Sequence, residues 1–328
     1  MKSSSLIKWI IAIFIGVLSF GAVRLYYDLT DDFRLANMTH ELDFEAPWDI
    51  HLVSNDERDQ LSTILKQKYY YIGKGAQSYA FASADQQYVL KFFKFKHLKP
   101  NWLVNLVPSI TPFNHYKELY IQRKRNKLVG VFEGYDLAYR ENRQASELLY
   151  LHLRPTNFLH QQVTLVDKMG FEHRINLDDV VFMVQKKGET LRQHLASLLD
   201  RGDIEGAKQA ISGILAMYMQ EYQKGVYDRD HGVMHNTGFV GNKAFHLDVG
   251  KLTKDDRIKL KKFYKKDLEQ ISWKMNEWLQ KAYPNDYPVL LAHLKHEYDS
   301  WIGEPFDPSR IDPKSYRKNR HSLVWGDE

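Results

Sequence analysis

An apolar run near the start of the chain restricts its fold more than any other feature. From Trp9 to Val23, fifteen residues carry no charge, and the run reaches eighteen when Leu6 and Ile7 are counted and Lys8 snorkels. At about 1.5 Å per residue, eighteen helical residues approach the roughly 30 Å of a bilayer's hydrocarbon layer. The expectation over residues 1–23 is a signal anchor or transmembrane helix, making the chain a single-pass membrane protein. A cleaved signal peptide competes, because Ser19-Phe20-Gly21 offers small residues before a cut, and a buried helix is the third reading. Lys2 and Lys8 precede the run, whereas Asp28, Asp31 and Asp32 follow it with Arg24 as the nearby cation. That charge bias points the remaining chain away from the cytoplasm; use of a nucleotide would favour the cytoplasmic side.

The rest of the 328 residues must supply a globular core. A chain that is 44% hydrophobic and 27% charged is neither collagenous nor wholly disordered, and it is long enough for two lobes. The absence of cysteine excludes disulfides, thiolate metal sites and cysteine nucleophiles. A net charge of +5 gives no reason to expect nucleic acid. Locally, Lys251 to Lys266 holds eight basic and two acidic residues, a surface suited to an anionic small molecule or a lipid-linked substrate, or simply a solvated helix face.

Residues 24–65 read as a tether and lead-in. From Lys66, short aromatic or β-branched runs separated by turn residues predict a three-strand meander: Tyr69–Ile72, Tyr79–Ala82 and Tyr88–Phe93. Residues 97–133 read as an irregular insertion and 136–149 as a helix. Thr164–Phe171 reads as a hairpin and Val180–Gln185 as a buried strand. Past Gly188, helical spacing covers 190–200, 204–224 and 254–282. The expected plan is α+β: a strand-rich part over 66–187, a helical part over 188–302 and a polar tail over 303–328.

Four motifs occur in order. Gly73-x-Gly75-x-x-Ser78 lies between two predicted strands, where glycine lets backbone N–H groups approach a phosphate. Lys91 sits in the apolar strand Val89–Phe93, where burial demands an anionic partner. Glu141 interrupts the apolar stripe of Leu137, Ala145 and Leu148, so it is the inward candidate for that partner; Glu147 shares a face with arginines and is the alternative. The densest segment is Asp228-Arg229-Asp230 followed by Asn236 and Asp248-Val249-Gly250, an all-oxygen set suited to Mg²⁺ and to a base beside a hydroxyl.

This order and spacing resembles the protein-kinase-like superfamily over residues 66–285, with a bilobed fold. The resemblance implies ATP and Mg²⁺ as cofactors. Gly73, Gly75 and Ser78 would line the phosphates, Lys91 would hold them, and Glu141 would pair with Lys91. Lys186-Lys187-Gly188-Glu189 would form the hinge at adenine, with Gly188 in the nucleotide site. Asp230 would be the base, and Asn236 and Asp248 the metal ligands. Ser78 stands where a third glycine is usual, Asp228 where a histidine is usual, and Asp230 to Asn236 is one residue longer than the pattern. No Ala-Pro-Glu-like segment follows Gly250, which points to an atypical, RIO-like or lipopolysaccharide-kinase-like member. A membrane-anchored phosphotransferase acting on a non-peptide or protein hydroxyl is the first functional reading. An inactive pseudokinase that serves as a nucleotide- or protein-binding module is the second.

Overall fold

The computed structural model describes residues 2–39 and 54–311, apart from Ala76, Lys96, His97, Lys99, Ser109 and Pro112. Part of the expected lead-in (40–53) and most of the expected tail (312–328) lie outside the described residues. The chain is a mixed α+β protein, sheet-rich in its N-terminal part and helical in its C-terminal part. It divides into two units: residues 1–124 with 152–184, and residues 125–151 with 185–328. The chain passes between these units three times, whereas the sequence reading places one boundary, at 187/188.

The first unit begins with α1 (Lys2–Leu29), in which Ile7–Leu29 is long and apolar enough to cross a membrane, with its apolar side chains exposed from Ile7 to Leu25. The chain beyond it is no loose tether over 30–39: Phe33 and Met38 are fully enclosed, and the Phe33 ring packs edge-on against Tyr79, Phe81 and His173. Helix α2 (Asn55–Leu65) starts at a capping box, with the Ser54 hydroxyl accepting the Glu57 N–H and the Glu57 carboxylate accepting the Ser54 N–H.

The predicted meander forms as β1 (Lys68–Lys74), β2 (Ser78–Ser83) and β3 (Tyr88–Phe93), all antiparallel neighbours. The predicted hairpin forms as β5 (Gln162–Val166) and β6 (Glu172–Asn176), with β5 parallel to β1. Strands β4 (Leu148–His152) and β7 (Phe182–Lys186) carry the chain between the units, and the sheet order is β4-β7-β3-β2-β1-β5-β6.

The main departure is α3 (Phe113–Glu141), a 29-residue helix through what reads as an irregular insertion. Its second half buries Leu128, Val131, Phe132, Tyr135, Ala138 and Tyr139, a clear helical spacing. Its first half leaves Phe113 and Tyr116 exposed, so no single stripe runs its length. The helix expected over 136–149 stops at Glu141. A single turn, α4 (Arg143–Ser146), follows, then Glu147 in the left-handed region at φ 50°, then β4.

In the second unit, α5 (Leu191–Asp200) and α6 (Ile204–Lys224) lie where their spacing predicts. Gly225 ends α6 at φ 77°, a dihedral that a side chain rarely adopts. The remaining elements are β8 (Glu189–Thr190), β9 (Val226–Asp228), α7 (Val233–Asn236), β10 (Thr237–Val240), β11 (Lys243–His246), β12 (Leu252–Lys254), α8 (Lys261–Ala282) and α9 (Tyr287–Ile302). The helix expected from 254 starts instead at Lys261, because 252–254 pairs with β9 as a strand. Helices α5, α6, α8 and α9 share one core, including Leu195, Ile211, Leu215, Ile271, Met275, Leu290 and Leu294. Each such side chain contributes about 1.5–3 kcal/mol by leaving water.

Candidate active site in the second unit

Strand β9 delivers Asp228 to the head of a loop, and β10 and β11 return the chain to Asp248. The Asn236 carbonyl accepts the N–H of Leu247 (2.7 Å) and of Asp248 (3.2 Å), so these residues, twelve positions apart, are fixed side by side. The Asn236 amide nitrogen donates to Asp230 Oδ2 at 3.1 Å, and Lys251 Nζ lies 3.0 Å from Asp230 Oδ1. Asp230, Asn236 and Asp248 therefore converge within one unit. Gly232 makes this possible, since a Cβ there would stand 2.6 Å from the Asn236 amide.

The three carboxylates have different environments. Asp228 is fully buried, its Oδ1 accepts the Asp230 N–H at 2.9 Å, and its Oδ2 has no hydrogen-bond partner among the described residues. Burial pushes its carboxyl up to about 6, against the partial relief of the His246 charge. Asp230 is half-buried; burial acts to raise its pKa, but the Lys251 ammonium and the Asn236 amide outweigh that and hold it below the usual range. Asp248 is exposed, and its Oδ1 accepts the Tyr135 hydroxyl (3.2 Å) and the Gly250 N–H (3.0 Å).

Buried ion pairs hold the loop from beneath. His231, left-handed at φ 51°, pairs with Asp267, which also accepts the Tyr222 hydroxyl at 2.5 Å. Burial works against its protonation, yet the Asp267 charge raises the His231 pKa overall. His246 Nε2 lies 2.9 Å from Glu221, which also accepts the Asn142 amide.

Several participants have no motif to announce them. Tyr135 and Gly134 lie on α3, and a Cβ at Gly134 would stand 2.7 Å from the Val249 carbonyl oxygen, so the helix packs directly on the Asp248–Gly250 backbone. The helical spacing from Leu128 to Tyr139 is the signal that could have placed them. A cavity of about 560 Å³ opens beside Asp230, lined also by Arg192, Trp273, Lys274, Trp278 and Lys281.

The glutamates are placed opposite to expectation. Glu141 is exposed and ion-paired with Lys254. Glu147 is buried between Lys186 (2.8 Å) and Lys243 (2.5 Å), and these cations outweigh the effect of burial to lower its pKa. Gly188 is required by packing, since a Cβ would stand 2.4 Å from the Phe239 carbonyl oxygen.

In the first unit, Lys91 is half-buried on β3 opposite Ala80. The Gly75 N–H donates to the Ser78 carbonyl at 2.9 Å, and the Gly75 carbonyl accepts the buried Lys94 ammonium, which also lies over the Tyr79 ring. A Cβ at Gly73 would meet nothing within 4 Å, so packing among the described residues makes no demand for glycine there.

The donor set fits a hard divalent cation. Asp248 is reachable, and the Asn236 amide oxygen accepts no hydrogen bond among the described residues. No group of three or more His, Asp or Glu that could hold a metal occurs among the described residues, so an ion here would take much of its shell from phosphates and water.

No protein-family model and no curated protein matches the chain. Among solved structures it is similar to WbdD, at 12% identity and a TM-score of 0.33, with 76% of this chain and 49% of that one covered. WbdD with the kinase inhibitor LY294002 matches at 12% identity and a TM-score of 0.33, covering 77% and 50%. A further structure, titled as the bifunctional kinase-methyltransferase WbdD, matches at 11% and 0.34, covering 74% and 46%. The chain spans about half the length of the solved chains it matches. A likeness at this level leaves the functional reading to the site's own chemistry.

Proposed function

We propose that this chain is a membrane-anchored, ATP- and Mg²⁺-dependent phosphotransferase of kinase-like architecture. The observation that carries the reading is the backbone pairing of Asn236 with Asp248, which fixes an amide oxygen and a carboxylate beside the half-buried Asp230. Asn236 and Asp248 are the metal-holding residues, and Mg²⁺ there supplies charge neutralisation for the transferring phosphoryl group. Asp230 orients the acceptor hydroxyl and takes its proton from the side of the cavity. Lys251 and the Asn236 amide keep Asp230 ionised, and therefore able to accept that proton. Arg192, Lys274 and Lys281 outnumber Asp230 and Glu277 in the cavity lining, which favours an anionic acceptor, and Trp273 and Trp278 offer it flat apolar faces. Gly73, Gly75, Ser78 and Lys91 remain the proposed phosphate contacts of the first unit. α1 is the proposed anchor.

One observation favours a second reading, a binding module without turnover. Both oxygens of Asp230 are engaged, Oδ1 by Lys251 and Oδ2 by Asn236, so the acceptor must share an oxygen with one of them. Formation of ADP from γ-labelled ATP by the full chain in lipid nanodiscs, with the label followed into water, the chain and the lipids, separates the two. The first reading expects Mg²⁺-dependent turnover that Asp230→Asn reduces about 10²-fold or more while nucleotide binding persists. Nucleotide binding without turnover selects the second reading, and neither binding nor turnover rejects both.

A further inference from the structure

The β5–β6 turn of the first unit is bound to the end of α1 and carries two exposed apolar side chains. Met169 and Phe171 are 49% and 58% exposed, with Lys168 beside them. Scattered surface apolar residues need no explanation. Two on one turn, at a fixed place beside a membrane-length helix, do.

The turn is rigid. The Asp167 N–H donates to the Phe171 carbonyl at 2.9 Å, and Asp167 Oδ1 accepts the N–H groups of Met169 (2.9 Å) and Phe171 (3.0 Å). Gly170 supplies the φ of 90° that closes it. Its attachment to the helix is also specific. The Tyr26 hydroxyl donates to Asp167 Oδ2 at 2.6 Å, the Tyr26 and Phe171 rings meet edge-on at 6.1 Å, and Lys168 pairs with Asp31 at 3.3 Å. Asp31 also pairs with Lys74 at 3.4 Å and accepts the Tyr71 hydroxyl at 3.1 Å. The helix end is therefore held against this edge of the sheet.

The depth of that contact follows from α1. Trp9 lies near one end of the apolar span and Tyr26 and Tyr27 near the other, about 26 Å apart at 1.5 Å per residue. Aromatic residues with polar tips at both ends of a span mark the two headgroup layers. With Tyr26 at one layer, the Phe171 ring, 6.1 Å from it, lies within the roughly 5–10 Å over which an apolar side chain reaches the acyl boundary. We infer that the β5–β6 turn is a second membrane contact, with Met169 and Phe171 inserted into the headgroup–acyl boundary of the leaflet from which α1 emerges. Lys168, already paired with Asp31, lies at the headgroup phosphates. The first unit is then held to the bilayer at two points and cannot swing about α1.

This inference rests on α1 spanning the membrane, and its test separates the two claims. The chain has no cysteine, so a single introduced one labels uniquely. Met169→Cys, Phe171→Cys, Phe14→Cys and Gln87→Cys (in the exposed β2–β3 turn) each receive a polarity-sensitive dye. The full chain is reconstituted in nanodiscs of phosphatidylcholine and phosphatidylglycerol, spin-labelled either at the headgroup or deep in the acyl chain. Deep label should quench position 14, and headgroup label should quench positions 169 and 171 by about twofold or more while sparing 87. Quenching at 14 with none at 169 and 171 overturns the turn insertion and leaves the span standing. No quenching at 14 overturns the span and the inference with it.

Discussion

Two sets of aspartates in this molecule have been given opposite treatment. In the first unit, Asp178 accepts the Thr156 hydroxyl (2.5 Å) and the N–H groups of Phe158, Leu159 and His160 (2.8–3.1 Å). Burial opposes its ionisation, yet these four donors hold its carboxyl below the usual range. In the second unit, Asp228 is more deeply enclosed, with one N–H donor and an oxygen that has no hydrogen-bond partner among the described residues, and burial pushes its carboxyl up to about 6. A carboxylate whose lone pairs are filled by its own chain is there for structure. One left unsatisfied beneath a reachable Asp230 and Asp248 lowers stability, and that cost is tolerated where the site has other work.

The largest effect is expected where α3 meets the second set. Gly134→Val places side-chain atoms where the Val249–Gly250 backbone already stands. The backbone must shift, so the variant should lose Mg²⁺-dependent nucleotide binding and about 1–3 kcal/mol in chemical denaturation. The same substitution at Gly170, which faces open space, should leave nucleotide binding intact despite its strained dihedral.

Next is Asp228→Asn. A rise from 3.8 to about 6 corresponds to roughly 3 kcal/mol at neutral pH. Between about pH 4 and pH 6 the unfolded chain releases a proton that the folded chain keeps, so the native state loses stability as pH rises. Asp228→Asn should therefore stabilise the protein by up to about 3 kcal/mol at pH 7, with the gain vanishing near pH 4. Thermal melts of both proteins across that range check the sign.

Asp178→Asn should act the other way and more weakly. Its folded pKa is lowered, so its contribution is present above the unfolded value and is lost as pH falls through the folded one. Removing the charge should cost about 1–2 kcal/mol at pH 7 and nothing in strong acid. An equal loss from Asp228→Asn would break the contrast.

The contrast was only partly legible in the sequence. The meander, the hairpin, α5 and α6 follow from turn residues and apolar period, and Asp230, Asn236 and Asp248 stand out by residue type and spacing. The glutamates did not, because face assignment from 136 to 149 assumes one unbroken helix. Glu141 ends α3 off the face that buries Leu128, Val131, Tyr135 and Ala138, so it meets solvent, and the break after it with the left-handed Glu147 rotates the later side chains so that Glu147 turns inward. The roles of Gly134 and Tyr135 depend on a helix whose first half exposes its apolar residues and therefore reads as irregular. Spacing set Asp230 at the base position and Asp228 two residues before it, but the difference in their ionisation lies in what surrounds each one.

Mg²⁺-dependent nucleotide binding, measured by calorimetry on the full chain, tests the central claim most directly. The wild type should bind ATP more tightly with Mg²⁺ than without. Asp248→Asn, which removes one charge from an exposed position, should weaken Mg²⁺-ATP binding about tenfold or more with no change in melting temperature, and Asp178→Asn should leave it unchanged wherever the chain is folded. Undiminished Mg²⁺-ATP binding by Asp248→Asn, or no nucleotide binding by the wild type, would contradict the account.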